Sequence, residues 1–179
     1  VPTQARERLV RAAQQLFHAE GVRAVGVERL LAESGVGRAS FYRHFASKDD
    51  LIVTVLRGYD ESFRGWLGRW VDEHGGGPLA VFDALAERFT SDNFRGCTSI
   101  NAMVEIADTQ AVAHQVAAAH KLAVIDYFDQ LLVADGREDH AELAEQLMLL
   151  MDGALVTALR ERTAAPALRA RAMAEKLLA

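Results

Sequence analysis

Between Arg38 and Lys48 the chain sets out Arg38, Ala39, Ser40, Tyr42, Arg43, His44 and Lys48, broken by Phe41 and Phe45. Guanidinium, hydroxyl, imidazole and ammonium donors so closely spaced suit recognition of DNA rather than bond-making. Arginine pairs with guanine O6 and N7, a methyl or a ring touches thymine, and lysine sets a point charge against phosphate. Such donors need a rigid platform, and the apolar residues supply one. Val27, Leu30 and Leu31 recur at helical spacing, Ser34-Gly-Val-Gly37 interrupts the period, and Phe41 with Phe45 restarts it one turn on. The pattern predicts two short helices joined by a tight glycine turn, a helix-turn-helix. Gly35 can take the left-handed backbone that ends the first helix, and Val36 can fold beneath Phe41. A second helix entering the major groove would present its N-terminal residues to base edges and its free N–H groups to phosphate.

Two other readings fit parts of this segment. Gly35-Val-Gly-Arg-Ala-Ser40 falls one residue short of a dinucleotide-binding G-x-G-x-x-G, but it follows an amphipathic helix where that fingerprint requires a strand. A helical hairpin packed only for structure, its polar face meeting water, is the other.

Val36-Gly-Arg-Ala-Ser-Phe-Tyr-Arg-His-Phe-Ala-Ser-Lys-Asp-Asp-Leu51 resembles the signature of the TetR family. In that signature a Gly-Val turn is followed by an aliphatic or aromatic residue, Tyr, a variable residue, His-Phe, and Ser-Lys with acids. The likeness extends upstream to the segment 6–20 and Gly21, which resemble the family's first helix and its stop, and so covers about the first quarter of the chain. It implies that Arg38, Ala39 and Ser40 face base edges, that Tyr42, His44 and Lys48 mainly touch the phosphate backbone, and that Arg43 serves either role. Two positions depart from the pattern. Gly26 and Gly37 stand where the family commonly has Ser or Thr, and Ser, as hydroxyl caps. Glycine caps a helix moderately well but brings no side-chain oxygen, which predicts weaker or more mobile binding there.

The chain has 179 residues, half of them apolar, enough for one fair-sized core or two small ones. Its net charge of −5 argues against a general nucleic-acid coating protein. The charge is uneven: residues 1–50 hold 8 Lys or Arg against 6 acids (+2), and the rest 12 against 19 (−7). A locally basic head on an acidic body fits contact with phosphate at one end. The lone Cys97 excludes an intramolecular disulfide, and neither a secretory leader nor a membrane-spanning apolar run is seen. A cytoplasmic protein is expected. Val1 is not expected to be the natural start, and a preceding arm could reach DNA.

The expected fold class is all-α with about nine helices, divided into a DNA-binding domain at 1–48 and a helical ligand-binding and dimerisation domain at 49–179. A first helix runs from a cap at Thr3 to about Glu20, with Leu9, Ala13, Leu16 and Phe17 inward and Gly21 as its stop. Ser47-Lys-Asp-Asp50 is a capping-box signature opening a long fourth helix that carries Ile52, Val55, Leu56, Tyr59, Phe63, Trp66, Leu67 and Trp70. His74-Gly-Gly-Gly-Pro78 breaks the pattern and Pro78 begins the next helix, with Leu79, Phe82, Leu85 and Phe89 inward. Residues 90–95 read as a loop; helices follow at about 97–107, 109–133, 139–162 and after Pro166.

Outside the head, Phe63, Trp66, Trp70, Phe82, Phe89, Phe94, Met103, Met148 and Met151 gather the large deformable side chains. Aromatics at helical spacing serve first as core. The same residues also suit an apolar ligand pocket, with Asn101, Glu105 and Asp152 as polar groups to orient the ligand and Cys97 beside them. Cys97 reads either as a small buried hydrophobe or as an oxidant-sensing thiol. The TetR resemblance implies a C-terminal domain that binds a small-molecule effector and thereby changes the separation of two DNA heads. It also implies repression of a double-stranded operator by a homodimer formed through the last two helices, whose apolar residues occupy more than one face. No cofactor, metal or membrane partner is expected. No Glu-x-x-His pair, His-Glu-x-x-His, paired cysteines or nucleophile elbow is present, which argues against an enzyme. A DNA-binding protein of the same fold that senses a protein partner or nothing is the remaining alternative.

Overall fold

The computed structural model describes residues 2–179, with side chains from residue 4 onward. Val1 and the side chain of the expected cap Thr3 lie outside the described residues. All regular structure among the described residues is helical: α1 (Pro2–Glu20), α2 (Val27–Ser34), α3 (Arg38–His44), α4 (Lys48–Glu73), α5 (Pro78–Phe89), α6 (Thr98–Glu105), α7 (Val112–Ala134), α8 (His140–Glu161) and α9 (Ala165–Leu177).

Local chemistry sets most boundaries. Gly35 ends α2 with a left-handed backbone (φ 61°). Ser47 Oγ accepts the Asp50 N–H at 3.2 Å and Asp50 Oδ2 accepts the Ala46 N–H at 3.1 Å, a reciprocal cap at the start of α4. Pro78 opens α5 at a position whose N–H needs no helical partner. The α7 helix starts later than its apolar period suggests, at Val112 rather than 109. The Asp108 carboxylate takes the Gln110 N–H at 2.9 Å, and this local turn competes with helix over 108–111.

The chain forms two compact units. The first holds the residues up to Glu61 together with Thr98–Ala119, and the second Ser62–Cys97 with His120–Ala179. This partition differs from a break at residue 48: α6 and the start of α7 join the head, and α4 and α7 each contribute residues to both units. The reason is apolar burial. Ala102, Ala113 and Ala117 are buried in one cluster with Leu9, Leu16 and Phe17 of α1, Leu30 of α2, Phe41 of α3, and Leu51, Ile52 and Val55 of α4. In the second unit α5 packs against α8 and α9, which also pack on each other, around Phe82, Leu85, Phe128, Leu147, Met151 and Ala170.

The α1–α2 turn shows how α6 serves the head. Gly21 closes α1 through its N–H to Phe17 O (3.0 Å) with φ +92°, a conformation that L side chains rarely adopt. A Cβ there would lie 2.7 Å from Glu105 Oε1, while Glu105 Oε2 accepts the Arg23 N–H at 2.8 Å. Gly21→Ala therefore strains the backbone and displaces the carboxylate; we expect a stability loss of about 1–3 kcal/mol, read from urea unfolding.

Candidate nucleic-acid interface

The reading helix α3 has only 7 residues, and the residue before it, Gly37 at the N-cap position, makes no side-chain cap. A helix this short cannot hold itself in water. Its stability comes from Phe41 and Phe45, one turn apart and both buried, with ring centroids 6.0 Å from each other. Burying each phenyl ring is worth about 1.5–3 kcal/mol. The Arg6 guanidinium lies over the Phe45 ring at 5.3 Å, bringing α1 to the same anchor. Val36 is buried as expected, and its N–H is satisfied by Ser34 Oγ at 3.3 Å. That hydroxyl also points at Leu31 O (3.4 Å), so Ser34 fixes the turn from inside.

With Phe41 and Phe45 inward, Arg38, Ala39, Tyr42 and Arg43 form one exposed stripe along α3. Ser40 and His44 flank the buried stripe and are half-buried, as is Lys48 at the start of α4. The Tyr42 ring meets Phe41 edge-on at 5.1 Å, which holds it upright on the surface. His44 differs from the simple expectation of a phosphate donor. Its Nε2 is shut away from solvent with no hydrogen-bond partner, so in this conformation that atom is not presented outward. Arg38 forms an ion pair with Glu28 of α2 across the turn.

The residues expected to line a ligand pocket divide between the units. Asn101 and Glu105 belong to the first unit, where Asn101 is exposed and Glu105 is engaged at the α1–α2 turn. Phe63, Trp66, Phe82, Phe89, Cys97, Met148, Met151 and Asp152 belong to the second. Phe82 is packed against Phe128 (6.0 Å) and Phe89 against Phe94 (4.9 Å), so both rings fill core. Cys97, Met148 and Met151 are buried. Phe63 and Trp66 lie 5.6 Å apart with the Arg88 guanidinium over both rings, at 5.5 and 5.1 Å, and His120 meets Phe63 edge-on at 5.3 Å. Asp152 accepts from Lys121 Nζ at 2.6 Å. Nearby in sequence, burial and then the Asp72 charge push the Tyr127 phenol above its ordinary range, and its hydroxyl is buried without a hydrogen-bond partner. Arg88, Lys121, Glu28 and Ser34 were not singled out by the sequence. Only Glu28, in the first turn of a helix beside a basic reading helix, left a local sign. Among the described residues no group of three or more His, Cys, Asp or Glu could hold a metal ion, and no helix is long and apolar enough to cross a membrane.

The comparisons with known proteins agree with this geometry. Residues 9–55 match the family described as bacterial regulatory proteins, tetR family. The structure of SCO4454, a TetR-family transcriptional regulator from Streptomyces coelicolor, superposes with a TM-score of 0.84 at 31% identity, covering 96% of this chain and 94% of that one. The HTH-type transcriptional regulator YjdC of Escherichia coli (strain K12) is 25% identical over 177 residues, 97% of this chain and 93% of that protein. The HTH-type transcriptional regulator TcmR of Streptomyces glaucescens is 38% identical over 58 residues, 32% of this chain and 26% of that protein. The chain belongs to the TetR family. It is a DNA-binding transcriptional regulator and not an enzyme.

The internal hydroxyl of the turn gives a direct check on how the head is held. Ser34→Ala leaves the buried Val36 N–H without its acceptor; we expect about 1–3 kcal/mol less stability by chemical denaturation, at unchanged surface charge.

Proposed function

We propose that this chain is a ligand-responsive repressor that binds a near-palindromic operator as a homodimer and leaves it when a small apolar or amphipathic molecule occupies the C-terminal region. In this reading residues 1–48 touch DNA and residues 49–179 bind the ligand and dimerise. The observation that carries it is the exposed stripe Arg38, Ala39, Tyr42, Arg43 on a helix anchored from behind by Phe41 and Phe45. Arg38, Ala39 and Ser40 would meet base edges; Tyr42, His44 and Lys48 would meet phosphate, with His44 reorienting to do so; Arg43 would take either role.

Dimerisation is supported by the apolar side chains left open on the last two helices. Leu149, Val156 and Leu159 of α8 and Leu168, Met173 and Leu177 of α9 are exposed, Leu149 by 75%. An isologous four-helix contact would cover them. Two heads on one body would read half-sites about 34–36 Å apart, or a multiple of that. For the effector, the Phe63–Trp66 pair under Arg88 and the Lys121–Asp152 ion pair offer apolar faces with orienting charge. The signal would travel along α4, whose residues run unbroken from Lys48 to Glu73, and a coupling of about 1–3 kcal/mol would lower operator affinity roughly 5- to 150-fold.

Selection of bound duplexes from a random DNA library tests the reading: enrichment of a near-palindrome supports it, and recovery of no preferred sequence contradicts it. On the selected duplex, Arg38→Ala is expected to relax preference at one base pair, at a cost of about 1–3 kcal/mol. Lys48→Ala should weaken all sequences alike and reduce the salt slope by about 1. Titrations at several salt concentrations check both, and equal losses for the two variants would contradict the division of roles. Leu149→Glu should yield monomers in sedimentation and weaken operator binding at least tenfold, the mark of a lost second head at roughly 1.4 kcal/mol per decade.

A further inference from the structure

We infer that the effector is an anion, a carboxylate on an apolar aryl or alkyl body, and that Arg88 is the residue that holds it; the inference rests on the ligand-responsive reading above. Arg88 is a half-buried residue of α5. Its guanidinium stands over two rings of α4, Phe63 at 5.5 Å and Trp66 at 5.1 Å, and Phe63 is only 5% exposed. A long basic side chain at a surface ordinarily carries its charge outward to water. Here the charge is drawn in against a buried ring. His120, itself buried, meets the same ring edge-on at 5.3 Å.

The rings hold the guanidinium but do not satisfy it. Attraction to a π face engages the charge, whereas the N–H donors along the guanidinium edge need acceptors of their own. Among the described residues Arg88 makes no ion pair, and its side chain donates no hydrogen bond. The two acids of α5 are committed elsewhere: Glu87 accepts the Trp70 indole N–H at 3.0 Å, and Asp83 takes Arg171 of α9 at 2.9 Å. Lys121, the other cation set beside the proposed effector region, is already matched by Asp152 at 2.6 Å. Arg88 therefore keeps an unmatched positive charge beside aromatic surface, and both it and Trp66 remain partly open. A carboxylate fits the guanidinium fork through two parallel bonds, and an apolar body next to it would cover the open part of the Trp66 indole. One guanidinium calls for a monoanion. An amine would be repelled, and a neutral amide would leave the charge unmatched. A ligand held between Arg88 of α5 and Trp66 of α4 changes the contact of these two helices, where the signal along α4 would begin.

Calorimetry on the full chain tests the charge with phenylbutyrate, phenylbutyramide and phenylbutylamine, which share one body, and with octanoate and octanamide. Each carboxylate is expected to bind roughly tenfold or more tightly than its amide, and the amine most weakly. Arg88→Gln should bring carboxylate affinity down to that of the amide. Arg88→Lys, which keeps the charge but not the fork, should retain part of the preference. The readout is the ratio of carboxylate to amide affinity, so a general loosening of the unit, which weakens both ligands alike, does not imitate the result. Arg38 and Arg43 are also exposed cations, so a carboxylate preference that survives Arg88→Gln would put the anion elsewhere and overturn the inference. Equal affinity for carboxylate and amide, or no saturable binding of either carboxylate at millimolar concentration, would overturn it too. On the selected duplex, saturating phenylbutyrate should lower operator affinity roughly 5-fold or more, and phenylbutyramide at equal concentration less. Carboxylate binding that depends on Arg88 but leaves operator affinity unchanged would keep the site and overturn the ligand-responsive reading instead.

Discussion

The first unit depends on one burial: Phe41 and Phe45 folded under a helix of 7 residues. Nucleating so short a helix is unfavourable, and neither Gly26 nor Gly37 contributes a capping oxygen in the turns around it. The two phenyl rings supply what the backbone lacks. They draw together α1 through Leu9 and Phe17, α2 through Leu30, and α4 through Leu51 and Ile52, so that the helices around the reader share one core. The polar side chains of α3 are outward because its aromatic ones are inward.

The rest of the head fixes the angle at which that helix is presented. Ser34 closes the turn with a buried hydrogen bond, Gly35 provides the left-handed step, and the Ser47–Asp50 cap starts α4 at once. The α6 helix joins through Ala102 in the core and Glu105 at the α1–α2 turn, so the head includes residues far along the chain. A carboxylate read as a ligand group from its sequence neighbours thus has a clear structural partner. The second unit follows a plainer rule: α5 is buried between helices and α8 and α9 keep an apolar outer face, which is the signature of elements needing partners on two sides.

Features written by local chemistry were legible in the sequence. The break at Gly35, the cap before α4 and the start of α5 at Pro78 each follow from one or two adjacent residues, and the structure has them at those positions. Period made Leu9, Ala13, Leu16, Phe17, Leu30, Phe41 and Phe45 legible as inward, but not Val22 and Val25 between α1 and α2 nor the alanines Ala102, Ala113 and Ala117 of α6 and α7 that join the same core. What period cannot show is which distant side chain completes a contact. Glu105 meets Arg23 across 82 residues and Lys121 meets Asp152 across 31, and nothing in either segment encodes its partner. The same limit explains why Phe82 could be read as pocket lining: the ring that fills the space beside it, Phe128, comes from α7, whereas Phe94, which meets Phe89, lies in the loop just after α5. The His44 ring fits a familiar motif, yet its Nε2 faces inward, because motif spacing fixes the backbone position and not the rotamer.

In the proposed function the outward stripe of α3, held by its aromatic anchors, is the surface that meets DNA. Amide chemical-shift mapping of the labelled chain titrated with its selected duplex tests this most directly. The largest shifts are expected at residues 37–48 and at the start of α2, with the buried ring resonances of Phe41 and Phe45 little changed. Shifts centred on the second unit, with residues 37–48 unmoved, would contradict it.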